Sequence, residues 1–484
     1  INTAEKLTLL YSYQYNLCFV NGRSLWTALL KSLSSNVHGT SSVSLLPLTV
    51  SQALDSTTEC WPEREAVVCV EDGVRKTFAQ FHQDVDSLTA GLLALGLKPG
   101  DRVGVWGPNS YEWILSQFGT AKAGMILVSK KPIKQNGKFS VICPSSFKTQ
   151  KFSEILRCLC PDWHITKRLP DLRMVILMDS VQPGMLHFQN VMEAGESRHH
   201  RELMGLQSKL TSDDPINIHF TSGTTGNPKG VCLSHHNIVN NVYLAGLRMG
   251  FRWRVMCVCV PVPLYHTFGC VVGGMCMAVH GITLVFPSKA HVSNSRCNII
   301  YGTPTMYIDM LNHPDRHTFD LSSTRRVMCL NSPLAFLGFP LDSDELKFNT
   351  VGCIMPHTEL LIRGRCVMLE YWEDEAKTKE AIGNDRWYRT GDIASLTSRG
   401  YCVINGRIKD LIIRGGENIY PAEIEQFLFT HPKVKEVQVS NLTTREQKKR
   451  YIYTHPAYCT HSIKKTELKE IIQKKLGIHC YVTT

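Results

Sequence analysis

The segment Phe220–Gly230 concentrates the residue types that bind phosphate. Its sequence, FTSGTTGNPKG, places hydroxyl side chains between glycines and adds one cation. Glycine lets a backbone turn sharply and approach a ligand closely, and successive N–H groups and hydroxyls in such a turn can surround an anion. We therefore predict a phosphate-binding loop formed by Thr221, Ser222, Gly223, Thr224, Thr225, Gly226 and Lys229.

Two simpler interpretations of this segment fit its residues less well. A flexible linker rich in serine, threonine and glycine explains neither Pro228 nor the single lysine. A Walker phosphate loop requires serine or threonine directly after a Gly-Lys pair, whereas here Pro228 precedes the lysine and Gly230 follows it.

A second group of polar residues lies between Trp387 and Glu425. Asp392 follows the glycine of WYRTGD, and Arg407 lies in GYCVINGRIKD. A carboxylate can accept two hydrogen bonds from a ribose diol, and a guanidinium donates to ribose or phosphate oxygens. Either residue alone would suggest a hairpin turn with a surface ion pair. Together, downstream of the threonine-rich loop, they predict a nucleotide site.

His266 is the third candidate, in the segment PVPLYHTFG (Pro261–Gly269), which we expect to be the end of an apolar strand. A single histidine beside aromatic residues is more often structural, because backbone groups satisfy its ring nitrogens. Residue types alone therefore favour a structural role here.

The elements that must position these residues follow from the hydrophobic pattern. The apolar run Ile216–Phe220 predicts a strand, so the loop would leave the end of a sheet, where α/β proteins bind ligands. Upstream, Ala66–Val70 and Val74–Phe78 predict a hairpin, and apolar residues at helical spacing from Phe81 to Leu92 predict a helix. Ser110 is a candidate helix cap. This alternation predicts an α/β fold with a parallel sheet covered on both faces.

Composition limits the broad class of the protein. The chain has 484 residues, 43% hydrophobic and 20% charged, with a formal charge of +11. These values are typical of a soluble enzyme, and the positive charge favours anionic ligands without identifying one. The eighteen cysteines include no C-x-x-C pair, which argues against zinc and indicates reduced thiols. The apolar stretch Cys270–Phe286 carries His280 and three glycines, so we expect core rather than a membrane span.

The motifs FTSGTTGNPKG, PLYHTFG, YGTPTMYIDMLN and KDLIIRGGENIYPAEIE resemble the acyl-adenylate-forming superfamily of AMP-binding enzymes. Within it they look most similar to a mitochondrial medium-chain fatty acid–CoA ligase. The resemblance covers roughly residues 54–439. It implies ATP, Mg²⁺ and CoA as cofactors and a medium-chain fatty acid as substrate. No nucleic-acid partner is expected.

The resemblance also implies roles for individual residues. Asp392 and Arg407 would hold the ribose, and His266 would line the acyl site near the carboxylate. Lys409 would be the hinge about which a small C-terminal domain rotates. Three further residues would face the pantetheine tunnel: Arg414, Gly415 and Gly416.

The resemblance predicts a large multi-subdomain N-terminal domain and a small α+β C-terminal domain. We expect a transit segment or tail at 1–50, an AMP-binding domain at 51–406, a hinge at 407–410 and an incomplete C-terminal domain at 411–484. The N-terminal stretch through Leu54 carries one acidic residue, Glu5, among several basic residues and serines. That composition suits import into the mitochondrial matrix.

The sequence departs from the superfamily pattern at two places. The Tyr-Gly-x-Thr-Glu segment, whose glutamate supports Mg²⁺ and phosphate, has no counterpart, and neither does the segment carrying a C-terminal catalytic lysine. Three functions therefore stay open: a fatty acid–CoA ligase, a weakened relative or shortened isoform that only binds nucleotide or acyl ligand, and a peptide-synthetase-type adenylation module. The absence of a following carrier domain disfavours the third.

Overall fold

The computed structural model describes residues 41, 43–129, 139–159, 171–221, 229–251, 256–287, 297–315, 317, 322, 324, 326–328, 336–338, 342–343, 345–346, 350–354, 362–397, 400–407, 412–414, 417–419, 438–440, 451–453 and 481–483. They fall into two compact units. The first contains the described residues up to 338 together with 362–388, and the second contains 342–354 and those from 389 onward.

The first unit is a mixture of helices and strands. Its α-helices are α1 (Val50–Cys60), α2 (Phe78–Ala94), α3 (Tyr111–Lys122), α4 (Phe152–Leu159), α5 (Phe188–Glu193), α6 (Ser197–Gln207), α7 (His235–Met249), α8 (Cys276–His280), α9 (Pro304–Leu311) and α10 (Glu375–Ala381). A π-helix, Phe268–Met275, runs directly into α8. No helix among the described residues combines the length and apolar character that crossing a bilayer requires.

All described strands of the first unit except β14 (Phe336–Leu337) form two large sheets. The strands of this unit are β1 (Glu65–Cys69), β2 (Val74–Thr77), β3 (Arg102–Val105), β4 (Ile126–Ser129), β5 (Phe139–Cys143), β6 (Leu172–Leu177), β7 (Leu186–His187), β8 (Pro215–Thr221), β9 (Lys229–Ser234), β10 (Cys257–Cys259), β11 (Thr283–Phe286), β12 (Ile299–Tyr301), β13 (Arg326–Met328), β14 (Phe336–Leu337) and β16 (Glu370–Tyr371). Strand β15 (Cys353–Ile354) belongs to the second unit. One sheet has the order β13-β12-β10-β11-β1-β2 and the other β16-β9-β8-β4-β3-β5-β6-β7.

The predicted α/β class is confirmed, and the predicted parallel sheet is parallel in part. Strands β8, β4, β3, β5, β6 and β7 are parallel neighbours, whereas β9 and β16 join that sheet antiparallel to their neighbours. In the other sheet β2 pairs antiparallel with β1, as the predicted hairpin requires. Strands β8 and β9 are separated by only seven residues, too few for the crossover connection that a parallel pair requires, so β9 pairs antiparallel with β8.

Several local predictions are confirmed because they rest on short-range patterns. The Ser110 side chain accepts a hydrogen bond from the Trp113 N–H and caps α3. Helix α2 ends before Gly96, which has φ +80°. The stretch 270–286 is buried except for the half-buried Val279, as expected for core.

The main hydrophobic core contains residues from both sheets and from the helices beside them. Val67 and Leu284 come from one sheet, and Val103 and Leu127 from the other. Phe81 of α2 meets Phe118 of α3 edge to face, with ring centroids 5.3 Å apart. Ile216 of β8 belongs to this core, which therefore positions the strand that ends at Thr221.

The second unit consists of short strands in its described residues. They are β15 (Cys353–Ile354), β17 (Asp392–Leu396), β18 (Cys402–Arg407), β19 (Ile412–Arg414), β20 (Glu417–Ile419), β21 (Gln438–Ser440), β22 (Tyr451–Tyr453) and β23 (Tyr481–Thr483). Two antiparallel pairs, β17–β18 and β19–β20, and one three-stranded sheet, β21-β22-β23, result. The predicted hinge at 407–410 has residues 408–410 outside the described ones, so the predicted domain boundaries stay a prediction.

One buried charge in the first unit is poorly compensated. Arg365 is 3% exposed, and its Nη1 donates to Asn241 Oδ1, while Nε and Nη2 have no hydrogen-bond partner among the described residues. Burial lowers the pKa of Arg365 to about 10, and the nearby Arg248 acts in the same direction. A buried cation without a carboxylate carries its full desolvation cost.

We expect Arg365→Met to raise the free energy of unfolding by about 1–3 kcal/mol, because it removes an incompletely paired charge and keeps most of the volume. Urea denaturation measures this. The matched control is Arg363→Met, two residues earlier, where the guanidinium is exposed and lies 4.5 Å from the Trp387 ring centroid. That variant should be unchanged or slightly less stable. A loss of stability in Arg365→Met would contradict the interpretation.

Candidate functional site

The two ends of the predicted phosphate loop lie opposite each other. Thr221 ends β8 and Lys229 begins β9, and their Cα atoms are partners in the antiparallel register. The Thr221 hydroxyl lies 3.5 Å from the Lys229 carbonyl oxygen, to which it donates. Lys229 and Gly230, the last two residues of the predicted segment, are the first residues of β9. Their binding of phosphate stays a prediction.

Lys229 contacts β16, the strand that pairs with β9 on the side away from β8. Its Nζ lies 4.8 Å from the centroid of the Tyr371 ring, a cation–π distance. The Trp372 N–H donates to the Gly230 carbonyl at 2.7 Å, which fixes the backbone beside the lysine. A Cβ at Gly230 would lie 3.0 Å from Ile218 Cγ2, so this glycine serves close packing rather than a turn. Lys229 is thus placed by its neighbours rather than freely mobile.

Strand β8 ends at the same edge of the sheet as its parallel neighbour β4. Thr221 is exposed there, two residues after the buried His219, whose Cα partner is Ser129, the last residue of β4. The carboxyl ends of parallel strands are the usual ligand-binding edge of an α/β sheet. The position of the loop therefore agrees with a binding role.

His266 lies in a turn between β10 and the π-helix, not at a strand end as predicted. It is exposed, and its N–H donates to the Pro263 carbonyl at 3.1 Å. The Phe268 N–H donates to His266 Nδ1 at 3.1 Å. Because Nδ1 acts as an acceptor, the neutral ring carries its proton on Nε2, which can donate to a carboxylate.

Asn109 is a positioning residue that the sequence analysis did not single out. Its Nδ2 donates to the carbonyls of Val260 and Val262 at 3.1 and 2.9 Å, and its Oδ1 accepts from the Leu264 N–H at 2.8 Å. These three bonds hold the segment that leads to His266. The phrase GDRVGVWGPNSYEWI contains Asn109, but its partners lie more than 150 residues away in sequence, so no local pattern could reveal the contact.

The motif YGTPTMYIDMLN begins with Tyr301, at the end of β12. The Tyr301 ring is buried and stacks on Phe268, with ring centroids 5.2 Å apart. Its hydroxyl donates to the Val272 carbonyl of the π-helix at 3.4 Å. Pro304 is the first residue of α9. The aromatic pair thus joins the start of the YGTPT segment to the helix behind His266.

In the second unit, the predicted ribose residues are directly opposed. Asp392 begins β17 and Arg407 ends β18, and their Cα atoms are register partners. Asp392 is half-buried, and its N–H donates to Thr390 Oγ1 at 3.0 Å. The hairpin that the sequence offered as the simpler interpretation is present and brings the two residues together. Their binding of ribose stays a prediction.

The remaining predicted site residues can be placed only in part. Arg414 is the last residue of β19, and its register partner is Glu417 of β20. The other predicted residues lie outside the described ones: Ser222, Gly223, Thr224, Thr225, Gly226, Lys409, Gly415 and Gly416.

Within the part of the chain that the structure describes, no three histidine, cysteine or acidic side chains are grouped to bind one metal ion. Mg²⁺ in nucleotide sites is held by one or two carboxylates, waters and substrate phosphates. We therefore assign no residue of this chain to Mg²⁺.

Comparison with known proteins decides the family. A sequence model of the family described as AMP-binding enzyme matches residues 54–336. The chain belongs to the AMP-binding enzyme family. The predicted superfamily and enzyme class are thereby confirmed.

Relatives and solved structures agree with this assignment. The chain is 52% identical to medium-chain acyl-CoA ligase ACSF2, mitochondrial, of Danio rerio, over 84% of this chain and 79% of that protein. It is 42% identical to the protein of the same name from Homo sapiens, over 84% and 78%. The crystal structure of the anthranilate CoA ligase AuaEII with anthranoyl-AMP has the same fold, with a TM-score of 0.72, 20% identity and coverage of 90% and 93%.

We expect Gly269→Ala to disturb the turn that carries His266. A Cβ there would lie 2.2 Å from the Pro263 carbonyl oxygen, which accepts the His266 N–H. The free energy of unfolding should fall by about 1–3 kcal/mol, since backbone must shift to relieve the overlap. Urea denaturation measures the change.

The control for this variant is Gly205→Ala in α6, where a Cβ meets nothing within 4 Å. It should be neutral or stabilising by up to about 1 kcal/mol through helix propensity. Equal losses in the two variants would mean that close packing at Gly269 is not important.

Proposed function

We propose that the chain is an AMP-forming fatty acid–CoA ligase that acts on medium-chain fatty acids. The observation that carries this proposal is the 52% identity to a relative named medium-chain acyl-CoA ligase, across 84% of the chain. AMP-binding acyl-CoA ligases use ATP, Mg²⁺ and CoA. The placement of Thr221, Lys229 and His266 in one unit, at strand ends and a turn, supports the same chemistry.

The reaction has two steps. In the first, a fatty acid carboxylate oxygen attacks the α-phosphorus of ATP, and pyrophosphate leaves with the electron pair of the broken P–O bond. In the second, the CoA thiolate attacks the acyl carbonyl carbon and AMP leaves. The first step converts a poor leaving group into a good one. The protein contributes positioning and charge neutralisation at the α-phosphate.

Each predicted site residue has a task in this scheme. Thr221 and Lys229 border the loop that would hold the phosphates, and Asp392 with Arg407 would hold the ribose. The Nε2–H of His266 would donate to the fatty acid carboxylate and orient the attacking oxygen, because Nδ1 is occupied by the Phe268 N–H. Lys409 would be the hinge about which the C-terminal domain rotates between the two half-reactions. Arg414, Gly415 and Gly416 would face the pantetheine chain of CoA.

We also infer a mitochondrial location, since the Danio rerio and Homo sapiens relatives are both named as mitochondrial. The matrix is the compartment proposed, on the basis of the acid-poor composition through Leu54.

A second candidate function is a weakened ligase that binds its ligands but turns over slowly. The observation in its favour is the missing Tyr-Gly-x-Thr-Glu segment. The alignment with the Danio rerio relative is 480 positions long but contains only 84% of the 484 residues of this chain. The remaining aligned positions are gaps in this chain, so parts of the relative have no counterpart here. Losing one charge-stabilising group typically costs about 10²–10³ in rate.

We expect this chain to catalyse ATP–pyrophosphate exchange with octanoate and decanoate at least about tenfold more slowly than the Danio rerio relative. The missing glutamate would act mainly in the transition state, when charge on the α-phosphate is greatest, whereas Lys229 binds ground state and transition state alike. The exchange rate of labelled pyrophosphate measures this. A rate within about tenfold of that control would contradict the expectation.

Nucleotide binding should survive, because Asp392 and Arg407 are in register. Isothermal titration with a non-hydrolysable octanoyl-adenylate analogue should show binding that Asp392→Ala weakens by about 1.5–3 kcal/mol, the range for hydrogen bonds to a charged group. The control is Asp213→Ala, an exposed carboxylate of the first unit. Absence of binding by the folded, unmodified chain would exclude the nucleotide site.

A further inference from the structure

A buried polar network connects β8, which ends at Thr221, to the π-helix that follows His266. It joins four elements, with Gln117 in α3, Ser129 in β4, Asn217 and His219 in β8, and Cys270 in the π-helix. All five residues are at most 3% exposed. The sequence motifs did not include the network, and the proposed reaction scheme does not use it.

The hydrogen bonds of the network have a consistent direction. Gln117 Nε2 and Asn217 Nδ2 donate to the Cys270 sulfur, at 3.1 and 3.4 Å. Burial raises the pKa of the Cys270 thiol to about 12, so the S–H is present at neutral pH. The thiol can then donate to His219 Nε2, 3.4 Å away. His219 Nδ1–H is left to donate to Ser129 Oγ at 2.7 Å.

Both ends of the network reach backbone that carries a functional group. His219 precedes Thr221 by two residues on β8. At the other end, the Cys270 N–H donates to the His266 carbonyl oxygen at 2.9 Å. The link from His219 to Cys270 therefore connects the strand that enters the phosphate loop to the turn that holds His266.

Stability alone does not account for this arrangement. Within the part of the chain that the structure describes, the network leaves Gln117 Oε1 and Asn217 Oδ1 buried without a hydrogen-bond partner. Each such oxygen typically costs about 1–3 kcal/mol. An apolar cluster at the same place would avoid that cost, whereas a directional network fixes distances between elements.

We propose that His219 is a positioning residue that sets the spacing between the phosphate loop and His266 through its hydrogen bond to Cys270. The proposal rests on the proposed function, in which the loop binds the nucleotide phosphates and His266 binds the carboxylate. An acyl-adenylate is the ligand that engages both groups at once. Its affinity depends on their spacing, whereas the affinities of AMP and of the fatty acid alone do not.

The test compares a linked ligand with its two halves by isothermal titration of the full chain. The ligands are a non-hydrolysable octanoyl-adenylate analogue, AMP and octanoate. His219→Leu should weaken the analogue by about 10- to 100-fold and change AMP and octanoate by less than about threefold. Cys270→Ala, a smaller change, should act in the same direction if the leucine variant does not fold. The double variant should be no worse than the poorer single variant, because both break one link.

His280→Leu is the matched control. His280 is a buried histidine at the end of α8, in the same continuous helix as Cys270, and its Nε2 donates to the Val242 and Tyr243 carbonyls at 2.9 and 3.1 Å. Its loss should lower stability without a selective effect on the linked ligand. His219→Gln, whose amide can still accept from the Cys270 thiol, should recover part of the analogue affinity.

The outcomes separate the positioning role from the proposed function. Equal weakening of the analogue and its halves in His219→Leu, or no weakening of any, would overturn the positioning role while the proposed function stands. If the unmodified chain binds neither the analogue nor AMP, the proposed function fails, and the positioning role fails with it.

Discussion

The register of strand β8 is the constraint on which the candidate site of the first unit depends. On one side β8 pairs antiparallel with β9, which sets Thr221 opposite Lys229. On the other it pairs parallel with β4, which sets His219 opposite Ser129. Ile218 of β8 and Cys232 of β9 are buried in one apolar cluster. A slip of one residue would turn them toward the opposite face, so burial fixes the register and with it both ends of the loop.

Local patterns in the sequence predicted the elements around the site well. The apolar run Ile216–Phe220 became β8, and Ser110 caps α3, because strand periodicity and helix capping depend on a few neighbouring residues. The strand at Lys229–Gly230 was not predicted. Glycine and lysine are poor strand formers, and this strand forms because β8 on one side and residues 370–372 on the other complete its hydrogen bonds.

Contacts between distant segments could not be predicted from one sequence. Asn109 holds the segment before His266, and His219 meets Cys270, across separations of 51 to 155 residues. Neither residue belongs to a motif with a recognised spacing. Asp392 and Arg407 were predicted to act together because a carboxylate and a guanidinium suit a nucleotide. The antiparallel register of β17 and β18 places their Cα atoms opposite each other, in agreement with that prediction. Their proposed ligand rests on the resemblance to AMP-binding enzymes.

In an acyl-adenylate mechanism, the carboxylate oxygen that attacks the α-phosphorus leaves with AMP. Transfer of this oxygen from the fatty acid to AMP is therefore the most direct test of the mechanism. The full chain would be incubated with ATP, Mg²⁺, CoA and octanoate that carries ¹⁸O in both carboxylate oxygens. The protein would be in excess over the octanoate, so that even slow turnover gives detectable product. Mass spectrometry of the nucleotide product should show AMP carrying one ¹⁸O atom, formed together with octanoyl-CoA. Formation of ADP, or of AMP without the label, would contradict the assignment of this chain as an AMP-forming acyl-CoA ligase.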